Sequence, residues 1–126
     1  MDSIVVTNSM LEEYHDDVIA FMECCYDAMD MLVADPEARA EYAMNLYKNE
    51  GGVTYSDEDM AAEITNVTYW TWDMLEDSPY EFGTTMKQIG QFFMDQGLIE
   101  EGSMPAIEAS LRKDILDEVV AYHKSK

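Results

Sequence analysis

Apolar residues recur at helical spacing along most of the chain. Five of them, between about residues 11 and 34, are spaced four, three, four and three apart: Val18, Met22, Cys25, Met29 and Leu32. This spacing places them on one face of a helix. Carboxylates occupy the opening turns of the same segment, where they favour a helix N-terminus. The pattern therefore predicts a first long helix from about residue 11 to residue 34.

The second predicted helix carries its own start and stop signals. Asp35 can cap its N-terminus, and Pro36 stands at the first helical position, where a missing N–H costs no hydrogen bond. Gly51 and Gly52 can adopt the left-handed conformation that ends a helix. These signals predict a helix over residues 35–52.

Three further helices are predicted in the second half of the chain. Ser56 can cap a third helix, which an apolar stripe continues through "WTWDML". A fourth carries "MKQIGQFF" and ends at Gly97. A fifth, whole or broken, runs from about residue 106 to residue 123. The stripes predict a buried core that includes Met22, Cys25, Met29, Ile64, Val67 and Phe93.

One short segment departs from the helical pattern. Ile4, Val5, Val6 and Thr7 are all β-branched, which favours a strand of four or five residues. A lone strand must pair with a partner chain or with an absent part of the protein, or else lie as an extended arm. We expect it to pair with its own copy in a homodimer or to be poorly ordered. The predicted fold is thus mostly α, with four to five packed helices and one short N-terminal strand in a single domain, residues 1–126.

The charge balance changes the range of partners. The 126 residues include seven Lys and Arg and 27 Asp and Glu, which gives a formal net charge of −20. Such a surface repels phosphate backbones and anionic lipid headgroups, which excludes nucleic acid and acidic membranes as expected partners. Solubility explains the acidity more simply than an acidic recognition surface does.

No residue pattern points to catalysis, a metal or a cofactor. Cys24 and Cys25 are adjacent, and a disulfide between neighbours in a helix would be strained. His15 and His123 have no Cys or His at ligand spacing. The sequence has no glycine-rich phosphate loop and no EF-hand spacing. We therefore expect a protein that is not an enzyme and binds no metal or cofactor, with both cysteines serving as packing residues.

The aromatic run "TYWTWDM" is the strongest candidate for a functional surface. Tyr69, Trp70 and Trp72 lie within four residues of one predicted helix, so they cannot all face one core. Either Trp72 packs under a neighbouring loop, or the run forms an apolar patch that contacts a partner or a second lobe.

The N-terminal segment does not have the features of an export signal. "MDSIVVTNSML" has no basic n-region and no cleavage-type motif, so we expect no signal peptide in this chain. No apolar run reaches the length of a transmembrane helix. The expectation is either a cytoplasmic protein or a piece of a longer protein whose export signal lies elsewhere.

The order of these elements resembles a known family. Three segments follow one another as in the C-terminal part of bacterial solute-binding proteins. They are the strand and long helix of "SIVVTNSMLEEYHDDV", then Asp35-Pro36-Glu37-Ala38, then Phe93-Met94-Asp95-Gln96-Gly97-Leu98-Ile99. These binding proteins are the periplasmic-type proteins of nitrate, sulfonate, taurine and thiamine-precursor ABC importers. Their corresponding motifs are an "NPEEAA" segment and a "DFLxxGLI" helix.

The resemblance implies a role as part of a larger protein. Members of this family have two α/β lobes, bind a small solute between them and deliver it to a membrane permease. This chain would be the C-terminal helical part, with the missing lobe and the ABC permease as partners, and the parent would be extracytoplasmic. No ligand-binding residue can be carried over. The alternatives are an independent helical interaction module and, less favoured, a small helical enzyme.

Overall fold

The computed structural model describes residues 4–77 and 80–126, and these are mostly helical, as predicted. Within them lie eight helices: α1 Asn8–Glu13, α2 His15–Ala34, α3 Pro36–Glu50, α4 Asp57–Asn66, α5 Trp72–Asp77, α6 Thr84–Asp95, α7 Met104–Ser110 and α8 Lys113–Lys124. None of them has both the length and the apolar character needed to cross a bilayer. The chain divides into two compact units, Met1–Asp77 and Ser78–Lys126. The single domain over residues 1–126 stays a prediction.

The N-terminal segment forms no strand within the described residues. Ile4 and Val5 are 45% and 83% exposed. Thr7, which we predicted to end a strand, instead caps α1, because its hydroxyl accepts a hydrogen bond from the backbone N–H of Met10 at 3.2 Å. The segment thus leads into a helix through Thr7, whose own backbone is extended. Its pairing with a second copy of the chain, through Ile4 to Thr7, stays a prediction.

The first predicted helix is interrupted once, at Tyr14. This residue leaves the helical region, with φ −127° and ψ 39°, and separates α1 from α2. The Tyr14 N–H still donates to the Met10 carbonyl at 2.9 Å, and the Tyr14 carbonyl accepts from the Val18 N–H at 3.0 Å. The backbone groups of Tyr14 thus keep their hydrogen bonds at the bend. The bend therefore requires neither a glycine nor a proline, and the sequence gives no signal of it.

The helix predicted from its capping residues is confirmed. Asp35 accepts a hydrogen bond from the Ala38 N–H at 3.0 Å, and Pro36 is the first residue of α3. Gly51 caps the C-terminus, and Gly52 follows with φ +63°. Ser56 caps α4 in the same way as Asp35 caps α3.

Helix α2 is the centre of the first unit, because α1, α3 and α5 all contact it and α4 packs on α3. The buried apolar residues of this unit are Leu11, Val18, Ile19, Met60 and Trp72. Most of the predicted core is only half-buried: Met22, Cys25, Met29, Ile64 and Val67. Full burial was a wrong prediction for these residues, since a unit of five helices, two of them very short, cannot enclose a whole helix face.

The second unit is built on close contact between α6 and α7. Gly83 is the N-cap of α6, with φ +85°, and a methyl group at Gly83 would overlap the side chain of Leu111. Residues 111–112 separate α7 from α8, so the fifth predicted helix is broken, and Val119 of α8 is fully buried. Phe93 was predicted to be buried, but it is 40% exposed. That prediction was wrong because α6 has an apolar stripe wider than the surface that α7 covers.

We expect Gly83→Ala to destabilise the chain more than Gly97→Ala. Both glycines have positive φ, +85° and +66°, so either substitution adds backbone strain of about 1–2 kcal/mol. Only at Gly83 would the new methyl group also displace Leu111, since nothing lies near Gly97. Urea unfolding followed by circular dichroism measures both. Equal losses would mean that Leu111 moves aside without cost.

Candidate functional site

The aromatic run lies at a break between two helices, where we predicted one continuous helix. Helix α4 ends at Asn66 and α5 begins at Trp72. The Arg39 guanidinium Nη2 donates to the Val67 carbonyl at 2.7 Å, and the Asp30 carboxylate accepts from the Trp72 N–H at 3.1 Å. These two side chains, from α3 and α2, satisfy backbone groups that a helix end leaves without intrahelical partners. Tertiary contacts therefore stabilise the break.

Trp72 attaches α5 to α2. Its side chain is 8% exposed, and its indole Nε1–H donates to the Asp27 carboxylate at 2.8 Å. The Tyr26 and Trp72 rings lie 5.1 Å apart at 47°, within the range of favourable aromatic pairs. We call Tyr26, Asp27, Asp30 and Trp72 the tryptophan cluster. It combines apolar burial with hydrogen bonds to both the indole and the backbone of one residue.

Tyr69 and Trp70 are half-buried beside this cluster. The Arg39 guanidinium carbon lies 4.1 Å from the centre of the Tyr69 ring, a cation–π geometry. Of the three aromatic residues singled out from the sequence, Trp72 thus lies inside the first unit and Tyr69 lies under an arginine. Contact of Tyr69, Trp70 and Trp72 with a partner or second lobe stays a prediction. Sequence reasoning missed Asp27, Asp30 and Arg39, since their roles depend on a segment about 30 to 45 residues away.

The tryptophan cluster should weaken in alkali. Burial, with a smaller contribution from Cys25, raises the pKa of Tyr26 above its ordinary value of 10.0. Because the pKa of Tyr26 is higher in the folded state, its contribution to the free energy of unfolding is fully present below pH 10. That contribution is lost as the pH rises through the raised pKa. We expect unfolding free energy to decline over this window in the parent protein and to decline less in Tyr26→Phe. Urea titrations followed by tryptophan fluorescence measure the decline.

Tyr42→Phe is the matched control for this experiment, because Tyr42 is 67% exposed on α3. Its removal should leave the alkaline decline as steep as in the parent. An equally steep decline in Tyr26→Phe would contradict the assignment to Tyr26.

Helix α2 has a second apolar stripe that faces solvent. Phe21, Cys24, Ala28 and Met31 are spaced three, four and three apart and are all exposed, Phe21 by 58% and Met31 by 73%. We call these four residues the α2 outer face. Cys24 was predicted to pack, but within the described chain it is exposed, and only Cys25 is half-buried. The spacing of this stripe is visible in the sequence, but we predicted a buried face only from the neighbouring stripe, Val18 to Leu32.

An acidic depression lies at the bend between α1 and α2. It has a volume of about 350 Å³ and is lined by Glu12, Glu13, Tyr14, His15, Asp16 and Asp17. Four carboxylates here disfavour an anionic ligand. The described residues contain no group of His, Cys, Asp or Glu arranged to hold a metal ion.

Several basic residues contact other groups of the chain. Arg39 contacts Tyr69 and the Val67 carbonyl, and four others contact a carboxylate or a ring: Lys87, Arg112, Lys113 and Lys126. Arg112 holds the pKa of the Asp114 carboxyl below its usual value, mainly through their hydrogen bond. At least five of the seven basic residues thus have a contact within the chain, and the ion pairs of Arg112 and Lys113 are exposed surface pairs.

Comparison with known proteins finds similarity at the level of sequence. No protein-family model matches the sequence, and no solved structure matches it. The chain is 23% identical over 119 residues to a protein of Brachyspira hyodysenteriae that carries the provisional name ABC transporter periplasmic binding protein. The match covers 94% of this chain and 34% of that protein, so the chain spans about a third of the length of its relative. This similarity supports a relationship to the solute-binding proteins of ABC transporters.

Proposed function

We propose that this chain is the C-terminal helical portion of an extracytoplasmic solute-binding protein of an ABC importer, of the nitrate, sulfonate and taurine type. The observation that carries the proposal is the similarity to the Brachyspira protein over 94% of this chain. The confirmed start and end of α3, and the glycine after α6, agree with the order of motifs in that family. The role is binding and transport rather than catalysis.

In this proposal the chain supports a ligand site that it does not contain by itself. A solute would lie between the lobes of the intact protein, which exclude water when they close. The tryptophan cluster and the hydrogen bond from Arg39 to the Val67 carbonyl hold the first unit together, which gives that protein a rigid helical part. The intact protein would then deliver its solute to an ABC permease.

The DNA upstream of the Met1 codon tests the proposal. We expect an in-frame extension that encodes α/β-type sequence, preceded by a signal peptide or a lipoprotein signal. We further expect the protein encoded by the extended frame to bind nitrate, a sulfonate, taurine or a thiamine precursor in titration calorimetry. An in-frame stop codon followed by a ribosome-binding site directly before Met1 would overturn the proposal.

A second candidate is an independent helical interaction module. The exposed apolar residues of the α2 outer face favour it, because a contiguous apolar patch on a soluble protein often marks an interface. A genuine start codon at Met1 would favour this candidate over the first.

A further inference from the structure

The α2 outer face is unusual because it carries no charge in a very acidic chain. Between residues 20 and 34 the ionisable acidic side chains are Glu23, Asp27 and Asp30. Glu23 is 3% exposed, and the other two bind the indole and the backbone N–H of Trp72. Glu23 is therefore interior, and Asp30 and the more exposed Asp27 are engaged with Trp72, whereas the exposed Asp17 lies one turn before Phe21.

A helix that is apolar on both sides is typical of a helix covered on both sides. One side of α2 is already covered, since Val18 and Ile19 are buried and α3 and α5 pack on it. On the other side, Phe21 and Met31 stand at the two ends of the outer face, with the smaller Cys24 and Ala28 between them. Small residues at the centre let another backbone approach closely, while the two large side chains provide apolar area at the ends.

We infer that the α2 outer face is the surface on which the remainder of the solute-binding protein packs, an inference that rests on the proposed function. The relative is about three times as long as this chain, so two thirds of it lie outside the match. A segment of the same polypeptide is held near α2 at high effective concentration. A second copy is disfavoured as the occupant, because each copy carries a formal charge of −20. The occupant therefore presents an uncharged, apolar surface to α2.

Cys24 is a natural reporter at the centre of this face. We would measure the rate of maleimide labelling in a Cys25→Ala background, in the 126-residue chain and in the protein encoded by the extended reading frame. This background leaves Cys24 as the one thiol of the 126 residues, so that the labelling rate of the short chain reports on Cys24 alone. We expect labelling of Cys24 to be at least about tenfold slower in the longer protein, because a covered thiol reacts only after local opening.

The matched control places a single cysteine on an exposed polar position of α3. Asn45→Cys, in a Cys24→Ala and Cys25→Ala background, should be labelled at the same rate in both proteins. A second variant pair, Phe21→Glu and Met31→Glu together, should lower the melting temperature of the longer protein and leave that of the 126-residue chain unchanged. Asn45→Glu controls for the added charge.

The outcomes separate the two proposals. If the longer protein binds its solute but Cys24 is labelled as fast as in the short chain, the inference is overturned and the proposed function stands. If labelling in the short chain slows as its concentration rises, a second copy covers the face, which also overturns the inference. If no extended reading frame exists, or if its product binds none of the solutes, the proposed function fails and this inference fails with it.

Discussion

Replacing Trp72 with alanine should lower the free energy of unfolding by about 3–5 kcal/mol, as is usual for removing a buried aromatic side chain. The side chain is 8% exposed, and its loss would leave a cavity between α5 and α2. It would also remove the hydrogen bond to Asp27 and the ring contact with Tyr26. Because small domains are stable by only about 5–15 kcal/mol, this change removes a large share of the total. Urea unfolding followed by circular dichroism measures the loss.

Trp72→Phe separates the two contributions. It keeps much of the apolar burial but removes the indole donor, so we expect a smaller loss that includes about 1 kcal/mol for the hydrogen bond. Trp70→Ala, at the half-buried neighbouring tryptophan, should also cost less than Trp72→Ala. If Trp72→Ala unfolded at the same urea concentration as the parent, α5 would not be held to α2 by this residue, and our account of the cluster would be wrong.

The 126-residue chain by itself should bind nitrate, taurine, alkanesulfonates and thiamine precursors weakly or not at all. Solute-binding proteins hold a ligand because groups from two lobes close on it. If the chain is one part of such a protein, as we propose, the contacts of the second lobe are missing, and a micromolar complex becomes a millimolar encounter, a difference of roughly 4 kcal/mol. The chain's own electrostatics act in the same direction for the anionic solutes. Its net charge is −20, and most of its basic side chains are engaged in internal contacts.

Titration calorimetry with each solute measures this directly. The protein encoded by the extended reading frame is the positive control. The destabilised Trp72→Ala chain measures the heat that is released without specific binding. A micromolar dissociation constant for the 126-residue chain would mean that it contains a complete site. The chain would then be a binding protein in its own right rather than part of one.

Local signals determined much of the helical structure. Asp35, Pro36, Gly51 and Ser56 set the ends of α3 and α4 through hydrogen bonds and backbone preferences that span only a few residues. Such signals can be read from the sequence because both partners lie within one helical turn. The mostly helical class followed from the same source, since the four-three spacing of apolar residues is also a local property.

The tertiary structure alone decided where helices break and which faces are covered. Arg39 of α3 and Asp30 of α2 bind backbone groups of the segment after Asn66, and these hydrogen bonds stabilise the break in the helix. Neither partner can be inferred from spacing, since each lies at least 28 residues away along the chain. The two apolar stripes of α2 are alike in spacing, yet one is buried at Val18 and half-buried along the rest of its length, whereas the other is exposed. Periodicity identifies a face that can be buried, but only the arrangement of the other helices determines whether something covers it.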